Sequence, residues 1–168
     1  INVGRYSDAE ELLAGSLKNK QSQFGPQSRQ LNETLVLYSK LKLVKGDYTE
    51  AEKFARQANT IAKGIFGDQS TKIAPAVLAL ADVYNSIGDF DQSAQFLRQA
   101  IDIQTKRFGK QHVDVGKSIS QLALVNFYQG KPIADVQARF AEAEKIIGSG
   151  LGSTNPTYAE ILKNMAVA

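Results

Sequence analysis

The sequence contains no cysteine and a single histidine, His112. That excludes disulfides, thiol nucleophiles and the common zinc sites, whose ligands come from Cys and His. No apolar run approaches the roughly 20 residues a helix needs to cross a bilayer, so membrane insertion is not expected. An excess of one charge sign is missing too. Twenty basic against seventeen acidic residues leave a net charge of +3. The surplus is dispersed, eleven against nine over residues 1–84 and nine against eight over residues 85–168. A pI near 9.1 without a basic block gives no footing for nucleic-acid binding. There is no signal segment, and a chain opening on Ile1 reads as a fragment or a processed product. The lack of Cys suits export as well as the cytoplasm, so the compartment stays open.

What the chain does contain is repetition. Its 168 residues divide into four rows of 42, with Gly4, Gly46, Gly88 and Gly130 in one column and Tyr6, Tyr48 and Phe90 in another. A second glycine follows a large apolar residue at Phe24-Gly25, Phe66-Gly67, Phe108-Gly109 and Leu151-Gly152, at spacings of 42, 42 and 43. A fixed period of this size is the mark of a solenoid or propeller.

The segments between glycines decide which. Ile73, Val77, Leu80, Ala81 and Tyr84 recur at three and four residues, as do Phe90, Ala94, Leu97, Ala100 and Ile101, and that spacing predicts one face of a helix. Each unit then holds two helices of about 16–18 residues, roughly 25 Å long at 1.5 Å rise per residue. The glycine columns are their joints. Ser7 with Glu10, Asp47 with Glu50, and Asp89 with Gln92 have the spacing of capping boxes. Alternating apolar runs are absent, so strands are not expected. Small residues (Ser39, Ala81 and Ala123 in one column, Ala51 and Ser93 in another, Ala58 and Ala100 in a third) allow facing helices to approach closely. The predicted class is all-α: an α-α superhelix, a right-handed solenoid of antiparallel helix pairs with about eight helices.

The runs Gly46-Asp47-Tyr48-Thr49-Glu50-Ala51-Glu52, Leu80-Ala81-Asp82-Val83-Tyr84 and Leu122-Ala123 resemble tetratricopeptide repeats. The 42-residue spacing and the Phe-Gly-x-Gln-x joints at Phe66 to Ser70 and Phe108 to His112 are similar to the longer variety found in kinesin light chains and bacterial scaffold proteins. The resemblance covers residues 4–168. It implies a single repeat array with a half unit at 6–23, pairs at 27–66, 69–108 and 111–149, and a half unit at 156–168. In the third pair Pro132 replaces the aromatic of the Tyr48/Phe90 column and Asp135 occupies the small-residue position. The one extra residue is expected near Gly148-Ser149-Gly150.

Chemistry finds little purchase. His112 follows a joint, in the column of Ser28 and Ser70, where a helix cap is the expected role. Gly148-Ser149-Gly150-Leu151-Gly152 lacks the strand and the Lys-Ser/Thr of a phosphate loop and reads as a turn. Asn32-Glu33-Thr34 matches a glycosylation sequon but falls within a helix. Glu10-Glu11 and Glu142 with Glu144 point to different helix directions. No nucleophile has a base. The expectation is no enzyme, no cofactor and no metal.

In such solenoids the first helix of each pair lines the concave face. Helical phase places Glu33, Val36, Leu37 and Lys40 there in the first pair and Ala79 and Asp82 in the second. The third pair supplies Lys117, Ser120, Gln121 and Leu124, and the terminal helix Lys163 and Asn164. The family resemblance implies that Asn and basic residues at such places hold the backbone and acid groups of extended peptides. Asn164 with Lys163 fits that pattern, and Gln121 fits it more loosely, while Leu37 and Ala79 stand where polar residues are usual. The expected function is a protein-interaction scaffold or adaptor that binds a peptide or helical segment of a protein partner. Two alternatives are a homo-oligomer formed through the terminal half-repeats and a ligand-sensing regulatory domain attached to an effector.

Overall fold

A computed structural model describes residues 3–151 and 156–167. All regular structure among them is helical: α1 Val3–Phe24, α2 Arg29–Val44, α3 Tyr48–Phe66, α4 Ala74–Ser86 entered through a 3-10 turn at Thr71–Ile73, α5 Phe90–Phe108, α6 Val113–Tyr128, α7 Ile133–Leu151 and α8 Pro156–Val167. The helices fall into two units that divide between Ile87 and Gly88, with α1–α4 in unit one and α5–α8 in unit two.

The glycine columns act as joints. Gly25, Gly46, Gly67, Gly88, Gly109 and Gly130 all have positive φ. Gly67 shows why the residue type matters, because it ends α3 at φ 80° and ψ 158°, a combination open essentially to glycine alone. Gly109 repeats it after α5 at φ 87° and ψ 159°. Caps follow the joints. Asp47 accepts from the Glu50 amide at 3.3 Å and Asp89 from the Gln92 amide at 3.1 Å.

In unit one, α2 packs on α3, with α1 against α2 and α4 against both α2 and α3. Leu31, Leu35, Ala55, Ala58, Ile61 and Ala62 are sealed from solvent, each large aliphatic side chain contributing about 1.5–3 kcal/mol by burial. Tyr38 stacks on Phe54 with ring centroids 4.4 Å apart. Small residues do what their column promised: the Ser39 hydroxyl donates to the Ala51 carbonyl at 2.7 Å. Asn32 donates its amide to the Ala58 carbonyl at 2.6 Å, so the sequon asparagine is a buried helix-to-helix bolt.

In unit two, α6 packs on α7, α5 on α6, and α8 on both α6 and α7. Val115, Ile119, Ala123, Val136, Phe140, Ala143, Ile146 and Ile147 form its core. At Gly116 the helices come so close that a Cβ would lie 2.8 Å from Ile147 Cγ1 and 3.0 Å from Ile146 Cγ2.

Four expectations are corrected. The helix α1 runs from Val3, so Gly4 and Ser7 lie within it and Ser7 is no cap. The stretch Gly148-Ser149-Gly150 belongs to α7 and is neither a turn nor the place of the extra residue. That residue enters between Gly130 and Val136. The buried positions Ala51, Ala55, Ala58, Ile61 and Ala62 of α3 recur 42 residues on at Ser93, Leu97, Ala100, Ile103 and Gln104 of α5. They recur 43 further on at Val136, Phe140, Ala143, Ile146 and Ile147 of α7. Backbone bonds agree: the Ala51 amide donates to Asp47, Ser93 to Asp89 and Val136 to Pro132. Pro132 thus stands in the capping position rather than the aromatic one, where Ile133 stands instead. Asp135 corresponds to Glu50 and Gln92 and is exposed, so it does not occupy the small-residue position. Gly152 lies outside the described residues.

Candidate functional site

Helix pairing leaves a face on the first helix of each pair that the second helix does not cover. In unit one this face belongs to α2 and α4. Glu33 and Lys40 are exposed, and Leu37 is 48% exposed. Asp82 is half-buried. Val36 and Ala79, expected on the open face, are buried at 5% and 1% exposure. Val44 is 63% exposed, seven residues and two helical turns beyond Leu37 on the same side. The signal that could have found it is an apolar residue in the last turn of a helix whose core stripe is already filled. This face has an apolar strip, Leu37 and Val44, set between charges.

In unit two the equivalent face belongs to α6 and α8 and is polar. Lys117 and Lys163 are exposed, while Gln121, Leu124 and Asn164 are half-buried. Leu124 also packs against the unit's core. Ser120 is 2% exposed and therefore does not line an open surface. It lies between helices, where its hydroxyl takes the Asn164 amide at 3.5 Å. Val36 stands 84 residues earlier in the same column, and burial of both marks that column as a packing position between first helices. The structure thus brings Asn164 beside α6, which a separation of 44 positions in the sequence could not reveal.

Charged clasps tie α1 to α2 and α3 to α4. Lys42 donates to Glu10 at 2.6 Å, and Lys45 joins the same carboxylate. The hydrogen bond from Lys42, then that from Lys45, holds the Glu10 carboxyl down at about 2. The Glu10 carboxylate in turn raises the Lys42 ammonium above its usual range. The corresponding pair 42 residues on is Glu52 and Tyr84, whose hydroxyl donates to Glu52 at 2.6 Å. Arg56 completes this triad through Glu52 at 2.8 Å and through Tyr84. Desolvation, reinforced by Glu52, pushes the Tyr84 phenol up. Hydrogen bonds from Tyr84 and Arg56 hold Glu52 below the usual carboxylate range. These groups close seams between helices.

His112 is the N-cap of α6. Its Nδ1 accepts from the Asp114 amide at 3.2 Å, and its ring stacks on Phe108 with centroids 4.4 Å apart. Ser70 caps the turn into α4 likewise, accepting from Lys72. Among the described residues no three His, Cys, Asp or Glu side chains are grouped to hold a metal, and no helix is long and apolar enough to cross a membrane.

Antiparallel helix pairs at a 42-residue period, joined by glycine turns, define an all-α helical repeat of the solenoid class. Residues 30–106 match the family model of the tetratricopeptide repeat. Solved structures share the fold. BtubC (BKLC) from P. vanneervenii superposes with TM-score 0.76 at 18% identity, over 99% of this chain and 65% of that one. A Podosopora anserina protein of nearly identical TPR-like repeats, described as a putative kinesin light chain, superposes with TM-score 0.77 at 18% identity, over 97% of this chain and 77% of that one. A second crystal structure of that protein gives TM-score 0.78 at the same identity over 97% and 76%. No curated protein matches the chain. Residues 30–106 are thus similar to the tetratricopeptide repeat, and the chain shares its all-α repeat fold with these TPR-like structures.

Proposed function

We propose that the chain is a binding scaffold without bond chemistry, and that the α6/α8 face of unit two grips an extended peptide from a protein partner. The observation that supports this most directly is the placement of Asn164 against Ser120, with Gln121 on the same helix and Lys117 and Lys163 exposed beside them. Amide groups suit the backbone of an extended peptide. Exposed ammonium groups suit its carboxylates and set orientation and on-rate. In unit one the apolar strip Leu37 and Val44 favours aliphatic anchors, the kind of contact that carries affinity when buried. Lysines and amides on one face, with His112 already engaged as a cap, support binding over catalysis.

Panning a random-peptide phage library on the full chain tests this reading. Selected peptides should carry acidic groups. Substituting Lys117→Glu together with Lys163→Glu should weaken them by about tenfold or more, and Gln121→Ala with Asn164→Ala should weaken them less, with unchanged melting. Peptides whose affinity ignores both double variants would overturn the assignment of this face.

A second reading, self-assembly through a terminal half-repeat, draws on α1. Leu12 is 75% exposed and Phe24 50% exposed on that helix, where a neighbouring repeat would cover them. Light scattering over a concentration series decides it: a monomer at every concentration removes the proposal, and a dimer lost on Leu12→Lys supports it.

A further inference from the structure

Unit two holds a cleft of about 480 Å³ on the side of the second helices, well inside the ~300–1,000 Å³ range of ligand sites. Its floor is apolar, with Ile101 from α5 and Ile119 and Leu122 from α6. Arg98 from α5, Arg139 from α7 and Lys110 from the joint between α5 and α6 line its rim. Two carboxylates also line it, Asp102 and Glu142, but Asp102 is held by Lys106 at 2.7 Å. Three cations therefore stand against one uncommitted carboxylate. None of the three has an ion-pair or hydrogen-bonding partner among the described residues.

At two of the three positions the repeat shows that packing does not require a cation, while Arg98 repeats Arg56. Counting the 43-residue step into α7, Arg139 stands where α5 has Phe96 and α3 has Phe54, and Phe54 is there to stack on Tyr38. Lys110 stands 42 residues after Asp68, an acid that pairs with Lys63 at 3.5 Å. Both departures from the pattern change the residue type in the same direction, toward positive charge, and both line this one cleft. A guanidinium fork matches a carboxylate bidentately, and an apolar floor rewards an aliphatic side chain and offers nothing to a sugar-phosphate backbone.

We infer that this cleft is a second docking site, separate from the α6/α8 face, for an acidic segment of a partner protein that lays an aliphatic side chain over Ile101, Ile119 and Leu122 and its carboxylates on Arg98 and Arg139. The test uses the full chain and fluorescence anisotropy with a labelled Glu-rich peptide carrying leucines three and four residues apart. Wild type binds it, and binding weakens with added salt. Arg98→Glu with Arg139→Glu lowers affinity at least about tenfold, with the thermal transition as a check on folding. Lys117→Glu with Lys163→Glu leaves unchanged the gain in affinity that the leucines confer over a leucine-free Glu peptide, which separates the cleft from the α6/α8 face. No binding by wild type overturns the inference. So does binding that survives Arg98→Glu with Arg139→Glu, and so does equally tight binding of a leucine-free Glu peptide or of double-stranded DNA.

Discussion

Where α2 and α3 approach, Asn32 fills the space between them and donates to the Ala58 carbonyl. Where α6 and α7 approach, Gly116 leaves that space to Ile146 and Ile147. Asn32 and Gly116 share one column, 84 residues apart, and the facing positions Ala62 and Ile147 are equivalent as well. Small against large is kept as a rule, while the helix that supplies each is exchanged. The helix starts differ in the same way. An aspartate side chain caps α3, whereas α7 begins behind Pro132, which offers only its carbonyl to Asp135 and Val136. Close packing is a property of the pair and not of either helix, so a column can be variable in sequence and still fixed in volume.

Breaking that complementarity in unit two should have the largest effect. Gly116→Val would place branched carbons in the volume of Ile146 and Ile147, and overpacking of this kind costs about 3 kcal/mol. Urea unfolding measures it, and restoring volume with Ile147→Ala in the same chain should recover part of the loss. Next comes Gly67→Ala, which forces a side chain into a glycine-only conformation at about 1–3 kcal/mol; Gly64→Ala, inside α3, lacks that penalty. Asn32→Ala removes the bolt of unit one and should cost about 1–2 kcal/mol. Caps sharpen the comparison from both sides, since Asp47→Ala should lose about 1 kcal/mol and Pro132→Asp should gain up to that amount.

The smallest effect is a matter of pH. Glu10 is held at about 2 against an ordinary 4.5, so its folded value is depressed. The stabilisation it gives is fully present above about 4.5 and is lost as pH falls toward 2. Because Lys42 is raised in turn, the clasp persists through the ordinary lysine range at the alkaline end. Protection of the α1 amides, taken relative to their intrinsic exchange rate at each pH, should fall on acidification in wild type, and Glu10→Gln should flatten that dependence. An unchanged profile would show that the clasp does not hold α1.

Much of this was legible in the residues. Glycine columns marked six positive-φ joints, Asp47 and Asp89 declared their caps, and three-and-four spacing gave the helices. What escaped has physical causes. Two glycines at 148 and 150 cost a helix about 1 kcal/mol each, yet the buried Ile146 and Ile147 beside them carry α7 through. Pro132 tolerates the first turn of a helix as readily as it breaks one, so the extra residue could not be placed until burial showed which side chains face inward. Of the twelve candidate face residues, Val36 and Ser120 are buried because a column that looks outward from one pair can be covered by another first helix, and Ala79 is buried as well. Periodicity within a pair does not contain that information. The cleft cations were visible as letters, but only the 43-residue step shows Arg139 standing in a phenylalanine position.

One consequence of the Glu52–Tyr84–Arg56 triad is spectroscopic. The chain has no tryptophan and six tyrosines, so its phenol absorbance is not overlaid by indole. Tyr84 is 6% exposed and resists ionisation because deprotonation would strand a phenolate in a desolvated site beside a carboxylate. Its late-titrating absorbance is a native optical gauge of whether α3 and α4 remain closed on one another, and it requires no label.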